Sequence, residues 1–414
     1  MTSAVAAETA AELVAWTVEV DDPGELLTWL PAGRAFAFLR GGDGIVGWGE
    51  AARLVVPPGT SALDEVAVML RSITPRDDVG LPGCGAVAVA SIGFDASVDS
   101  GVVVVPKVVL GRRDGRSWLT LITPPGAVAV PALRRRPVAA ASAPPATVSA
   151  LLPSEAEWRA SVATAVDAMR AGALSKVVLA RAIEVTADSV LDPRAVAARL
   201  AQRFPACFTY LCDGLVGASP ELLVRRLGRH ADSLVLAGTI RRGATPEEDA
   251  ALERSLLESA KDAVEHRLAA ESVHDVLREV SSEVSIDPRP HVVRLANVSH
   301  LATHVEAWLP APAPSALELA LLLHPSAAVG GTPREPAVEM IRRLEAQPRE
   351  RYAAPIGWVD ANGDGEFAIA LRCAQLDGPV ARLWAGAGIV ADSDPDAEVA
   401  ETTAKFDAVL SALV

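Results

Sequence analysis

Hydrophobic and polar positions along the chain fall into two regimes. Up to residue 122 the apolar runs are short and β-branched. AFAFLR (Ala35–Arg40) alternates, GIVGWGEAARL follows, and GAVAVASIGF and GVVVVPKVVLGRR are valine-rich. Such runs predict strands. In VLGRRDGRSWLTLI, Asp114-Gly115 separates two of them and predicts a hairpin. No catalytic constellation stands out here, and Trp48, Trp118 and Glu50 read as core and edge residues. Residues 123–153 then lose all periodicity. Proline, alanine and serine dominate, which predicts a surface loop or linker, with Arg134-Arg135-Arg136 as a solvated face.

From residue 154 onward helical and strand periods alternate. Ser154 and Glu157 make a capping box, Trp158, Val162, Val166 and Met169 repeat at helical spacing, and Gly172 ends the helix. SKVVLARAIEV is a strand with Val177, Leu179, Ile183 and Val185 on one face. Lys176, Val178, Ala180 and Ala182 share the other. A lysine opening an apolar face either snorkels to solvent or is partly desolvated and able to act as a base. Pro193 opens a short helix to residue 204.

The stretch Phe208–Glu265 organises the rest. Two strands meet at an Asp213-Gly214 turn, Gly217-Ala218-Ser219-Pro220 closes on Glu221, and a further strand ends at Ala237-Gly238-Thr239. Tight glycine turns beside carboxylates suit close approach of backbone to a ligand. Thr245, Pro246 and Glu248 start a helix expected to run to about residue 280, with Glu258, Asp262 and Glu265 on one side. Such a stripe is either a solvated face or, because like charges repel, a place for a divalent cation.

SIDPRPHVVRL reads as a loop. The next strand carries His300 and His304, too far apart along it for a paired zinc site. ALELALLLHPSAAVGGTPREPAVEMIRRLE is helix, glycine-rich loop and helix, and three strands follow. Asp360-x-Asn362-x-Asp364-Gly365 is a hairpin turn and not a calcium loop, since Leu371 stands at the twelfth position. Gly386-Ala387-Gly388 lacks the third glycine of a dinucleotide fingerprint. Arg372 is expected mid-strand, as a structural ion pair or an anion clamp. The last helix starts near Asp394-Pro395 and carries Glu398, Glu401 and Lys405 on one face.

Composition narrows the class. At 414 residues, one large or two medium domains are expected. No run of 18 apolar residues occurs, and a net charge of -14 argues against nucleic acid or an anionic membrane as partner. An anionic small molecule remains open, because local cations outweigh a global field. Four scattered cysteines (Cys84, Cys207, Cys212, Cys373) do not make a disulfide framework and fit a reducing cytoplasm. The start, MTSAVAAETAAELVAW, does not read as a signal peptide. No exposed apolar repeat marks an interface, so a monomer is expected, with a homodimer also allowed.

No single motif decides among these readings; their order does. LSKVVLAR, GASPELL, LAGT-RRG, SAKD--EH, LLHPSAAVGGTP, GWVDANGDGEF-IALRCA and AGAGIV---DP--E--ET--K resemble, block by block, the chorismate-utilising enzymes, and among them the isochorismate synthases of menaquinone and siderophore pathways. The resemblance is specific over residues 150–414 and general before that. It implies an α+β fold of α/β/β/α layers, with two orthogonally packed, mostly antiparallel sheets and outer helices. Residues 1–122 would then form the amino-terminal part of the sandwich and 154–414 the catalytic region of one intertwined domain. It also implies Mg²⁺ and chorismate as ligands. Lys176 would be the base that activates water, and Glu221 the acid that protonates the departing hydroxyl. Glu265, Glu398 and Glu401 would hold the metal. Gly238, Thr239, His300, Tyr352, Arg372, Gly386, Gly388 and Lys405 would contact substrate.

Ammonia-using relatives such as anthranilate synthase carry glutamine where Lys176 stands, so lysine favours water as nucleophile. Aminodeoxychorismate synthases have a lysine where Ala237 stands. Salicylate synthases, the alternative reading, tend to have threonine at Ala328 and tyrosine at Tyr352. Here the first position departs from them and the second agrees. A chorismate-binding relative without activity is the remaining alternative, and the intact set Lys176, Glu221, Glu265 and Glu401 counts against it.

Overall fold

A computed structural model describes residues 12–60, 63–126, 134–136, 144–296 and 298–413. The expectation of no signal peptide falls largely on residues 1–11, outside the described residues, as does part of the linker reading (127–133 and 137–143). Among the described residues the strands form two sheets, of thirteen and ten strands, antiparallel except where Leu13–Val20 runs parallel to Ile73–Asp77. The two parts of the chain share both sheets. Ala35–Arg40 pairs with Phe208–Cys212 in the larger, through Phe38 and Tyr210. Val87–Ser91 pairs with Pro355–Asp360 in the smaller, through Val89 and Trp358.

One large apolar cluster draws on both sheets: Phe38, Ile45 and Trp118 from the larger, Val89, Val104, Trp358 and Phe367 from the smaller. Large side chains removed from water this completely supply most of the drive for folding. Trp118 is fully buried and donates its Nε1–H to Gly83 O at 3.2 Å. A second cluster lies under the Pro193–Arg203 and Pro395–Leu413 helices, around Val196, Leu200, Phe406 and Val409. No helix among the described residues is long and apolar enough to cross a membrane.

Local signals act as expected at many points. Ser154 and Glu157 close their capping box, and Asp114 and Asp213 take positive φ in the two hairpin turns. In the third hairpin, Asp360 Oδ1 accepts the Asn362 and Asp364 N–H groups. All four cysteines are buried free thiols. Arg134–Arg136 are exposed, with the Arg135 guanidinium set over the Trp29 ring.

Other expectations are corrected. Leu63–Arg71 is a helix within the region read as strands. The end of the Pro/Ala-rich stretch, Ala146–Leu152, is an edge strand on Lys176–Ala187; partner hydrogen bonds fix it without any periodicity of its own. SIDPRPHVVRL holds two short edge strands, Glu283–Ile286 and His291–Arg294, on Val298–Trp308. The long helix is two helices, Pro246–Glu258 and Ala260–Val280. Ser259 stays extended (φ -69°, ψ 115°) and its side chain accepts the Asp262 N–H, so it caps the second helix and breaks the acidic stripe. Glu258 is left exposed. Arg372 is not mid-strand: φ is +50° there, so four strands, not three, follow residue 354.

Candidate active site

Two chain crossings make the site. Leu215–Ser219 belongs to the larger sheet and Leu222–Leu227 to the smaller, so Pro220-Glu221 passes between them. The chain returns at Ala370–Arg372, between Gly365–Ile369 in the smaller sheet and Cys373–Asp377 in the larger. Around these crossings lies a cleft lined by both charged and apolar side chains, the mixture typical of small-molecule sites. Of the thirteen residues that the sequence singled out, all but Lys176 and Glu398 line it. Lys176 faces Glu265, which does, and Glu398 precedes Glu401 by three residues on its helix.

Lys176 opens the Lys176–Ala187 strand and is fully buried, which removes the snorkelling reading. Its Nζ lies 3.2 Å from Glu265 Oε1 without a well-aligned hydrogen bond. The adjacent strand supplies Gly388, paired with Val178. A Cβ at Gly388 would overlap Glu265 Oε1 and press on Lys176 Cε at 3.1 Å, so only glycine leaves room for the pair.

Glu221 is almost completely buried, and its Oε1 accepts the Leu236 N–H at 3.4 Å. Burial pushes its carboxyl up to about 8, against the pull of that N–H, Lys176 and Lys405. Glu221 therefore holds a proton at neutral pH. Gly238, at φ +74°, makes a bulge in the His230–Arg241 strand where its pairing with Val298–Trp308 shifts register. The bulge carries Thr239 to His300, Oγ1 to Nδ1 at 3.0 Å.

Arg372 Nη2 lies 3.2 Å from His300 Nε2. Because a guanidinium can only donate, Nε2 accepts and Nδ1 carries the ring proton. Burial, then Arg372 and Lys405, hold His300 well below its ordinary pKa, so the ring is neutral. Tyr352 stacks on Trp384, centroids 6.1 Å apart and planes within 9°. Lys405 donates to Gly386 O at 2.8 Å and to Glu401 Oε1 at 2.6 Å.

The three acids arrive from two helices, Glu265 on Ala260–Val280 and Glu398 and Glu401 on Pro395–Leu413. Each faces a lysine: Glu265 faces Lys176, Glu401 faces Lys405, and Glu398 faces Lys261 at 2.8 Å. Burial raises the Glu398 pKa, and Glu401 raises it further. Glu398 Oε2 has no hydrogen-bond partner. Among the described residues no three metal-binding groups converge into a cage. Mg²⁺ is ordinarily held by one or two carboxylates with waters and substrate oxygens, and these hard oxygen donors, one of them free, fit it.

Sequence reasoning gave no role to Lys261 or His266, both within the SAKD--EH block, and missed Trp384. His266 is buried, with Nδ1 3.1 Å from Ala237 O and Nε2 2.7 Å from Thr303 Oγ1, tying the helix of Glu265 to both strands beneath it. The i, i+1 spacing from Glu265 placed it on another helical face, and only the fold brings it under the site.

The family model described as "Chorismate binding enzyme" matches residues 6–414. This chain belongs to that family. A MenF protein of Mycobacterium tuberculosis (strain H37Rv) is 42% identical over 285 residues, which is 65% of this chain and 76% of that one. The isochorismate synthase EntC of Escherichia coli K12 is 37% identical over 265 residues, covering 63% and 68%. The solved structure of MenF, the menaquinone-specific isochorismate synthase of Escherichia coli, superposes with TM-score 0.82 at 26% identity, covering 98% of this chain and 95% of that one.

Proposed function

We propose that this chain is an isochorismate synthase, converting chorismate to isochorismate for menaquinone or siderophore synthesis. The observation that carries the chemistry is a protonated acid and a buried amine at one cleft: Glu221, held near 8, and Lys176. Lys176 takes a proton from water as the water oxygen bonds to C2 of the ring. The ring double bond shifts, and Glu221 gives its proton to the C4 hydroxyl, which leaves as water. Atoms in and out balance, so the product is an isomer of the substrate. Arg372, Lys405 and the backbone at Gly238-Thr239 and Gly386–Gly388 would hold substrate carboxylates. Neutral His300, fixed as the Nδ1–H tautomer by Arg372, would present its ring beside them. Tyr352 would pack against the ring. Glu265, Glu398 and Glu401 would hold Mg²⁺, which supplies positive charge for the substrate's ring carboxylate. Four buried free thiols support a cytoplasmic location.

One observation favours a second reading, salicylate formation by loss of pyruvate from isochorismate: Tyr352 lines the cleft. Incubation with chorismate and Mg²⁺, with products separated and weighed by mass spectrometry, tests both. An isobaric product in equilibrium with chorismate is expected. Salicylate with pyruvate would move the assignment to the second reading, and no product would refute both.

A further inference from the structure

Lys176, Lys405 and Lys261 differ in how firmly each is tied. Lys176 is fully buried, and Lys405 is also anchored to Gly386 O. Lys261 has a side chain 35% exposed and hydrogen-bonds to Glu398. It stands in the first turn of the Ala260–Val280 helix, just after the Ser259 cap. A cation there opposes the helix dipole, so the helix itself gives no reason for a lysine. Glu398 does. It is 1% exposed, three residues from Glu401, and one oxygen has no partner. A carboxylate in that position needs a positive neighbour.

We infer that Lys261 is a stand-in for the cation: its ammonium neutralises Glu398 while the metal is absent, and metal binding exchanges the one for the other. The inference rests on the metal reading above. Its partly exposed side chain lets Lys261 swing to solvent without unpacking the core, a freedom that Lys176 lacks. Lys261 is thus a positioning residue that sets metal affinity and touches no reacting atom. It keeps the two acid-bearing helices together in the empty site, and it makes the metal compete for Glu398.

Calorimetric titration of the metal-free full-length chain with MgCl₂ tests this without turnover. Lys261→Met, of similar length and without charge, is expected to bind Mg²⁺ about tenfold or more tightly than the wild type, since a like charge close to the cation is gone. Lys261→Arg keeps the charge and is expected to show no tightening, which guards against a general packing effect. Without metal, Lys261→Met is expected to melt below the wild type, and saturating Mg²⁺ is expected to close that gap. Equal or weaker Mg²⁺ binding by Lys261→Met, with the wild type binding normally, would overturn the exchange and leave the metal site standing. No Mg²⁺ binding by either protein would overturn both.

Discussion

Around Trp118 the two sheets meet through Phe38, Val89 and Trp358, all buried and apolar. Around Glu221 the same sheets meet through Lys176, His300 and Arg372, groups that burial penalises. The backbone accounts for the difference. Near Trp118 each strand stays in its sheet, and side chains of both interleave. Near Glu221 the chain passes from sheet to sheet twice, at Pro220-Glu221 and Ala370–Arg372. The crossings leave room for a cleft and aim polar groups into it. One region holds the molecule together, and the other gives up some stability to hold groups in set protonation states.

That contrast can be broken from either side. The largest effect is expected from Lys176→Ala: turnover should fall by about 10²–10⁴-fold. Chorismate binding should stay measurable by calorimetry and the circular dichroism unchanged, because the residue is not part of the apolar core. Wild-type turnover would remove the proposed base. Trp118→Ala should do the reverse. It should cost about 3–5 kcal/mol in chemical denaturation, while kcat of the folded fraction stays within a few-fold of wild type.

Glu265→Gln should weaken Mg²⁺ binding by about tenfold or more and change the melting temperature little. An unchanged Mg²⁺ titration would remove Glu265 from the ligand set. A further effect concerns pH and stability. Glu221 has an ordinary carboxyl value of 4.5 when exposed and about 8 when folded. The folded state therefore binds the proton more tightly. The stability this gives is complete below about 4.5 and is lost as pH rises through about 8. Glu221→Gln lacks that loss, so its stability relative to wild type should rise between those values. A constant difference across the range would contradict the raised carboxyl.

Much of both regions could be read from the chain. Lys176 at the head of VVLAR, the Asp213-Gly214 turn leading to Glu221, and the Glu401–Lys405 pair at i, i+4 are local signals, and the structure has each of them. What escaped depends on partners distant in sequence. The helix break at Ser259 is the exception: its cap on the Asp262 N–H is local, but the acidic residues keep helical spacing across it and hid it. Arg372 looked like a strand residue because its neighbours are apolar. They are apolar because the chain there passes between two sheets. The strand at Ala146–Leu152 exists through its partner, and nothing in SAPPATVSALL repeats. The roles of Gly388 and Lys261 follow from Glu265 and Glu398, which arrive on other helices.

The central claim is that the cleft keeps Glu221 protonated at neutral pH beside a buried amine. Infrared difference spectra of wild type against Glu221→Gln, followed from pH 5 to 10, read that proton directly. The account predicts a protonated carboxyl band belonging to Glu221 at pH 7, lost with a midpoint near 8. A Glu221 already ionised at pH 7 would contradict its role as the acid.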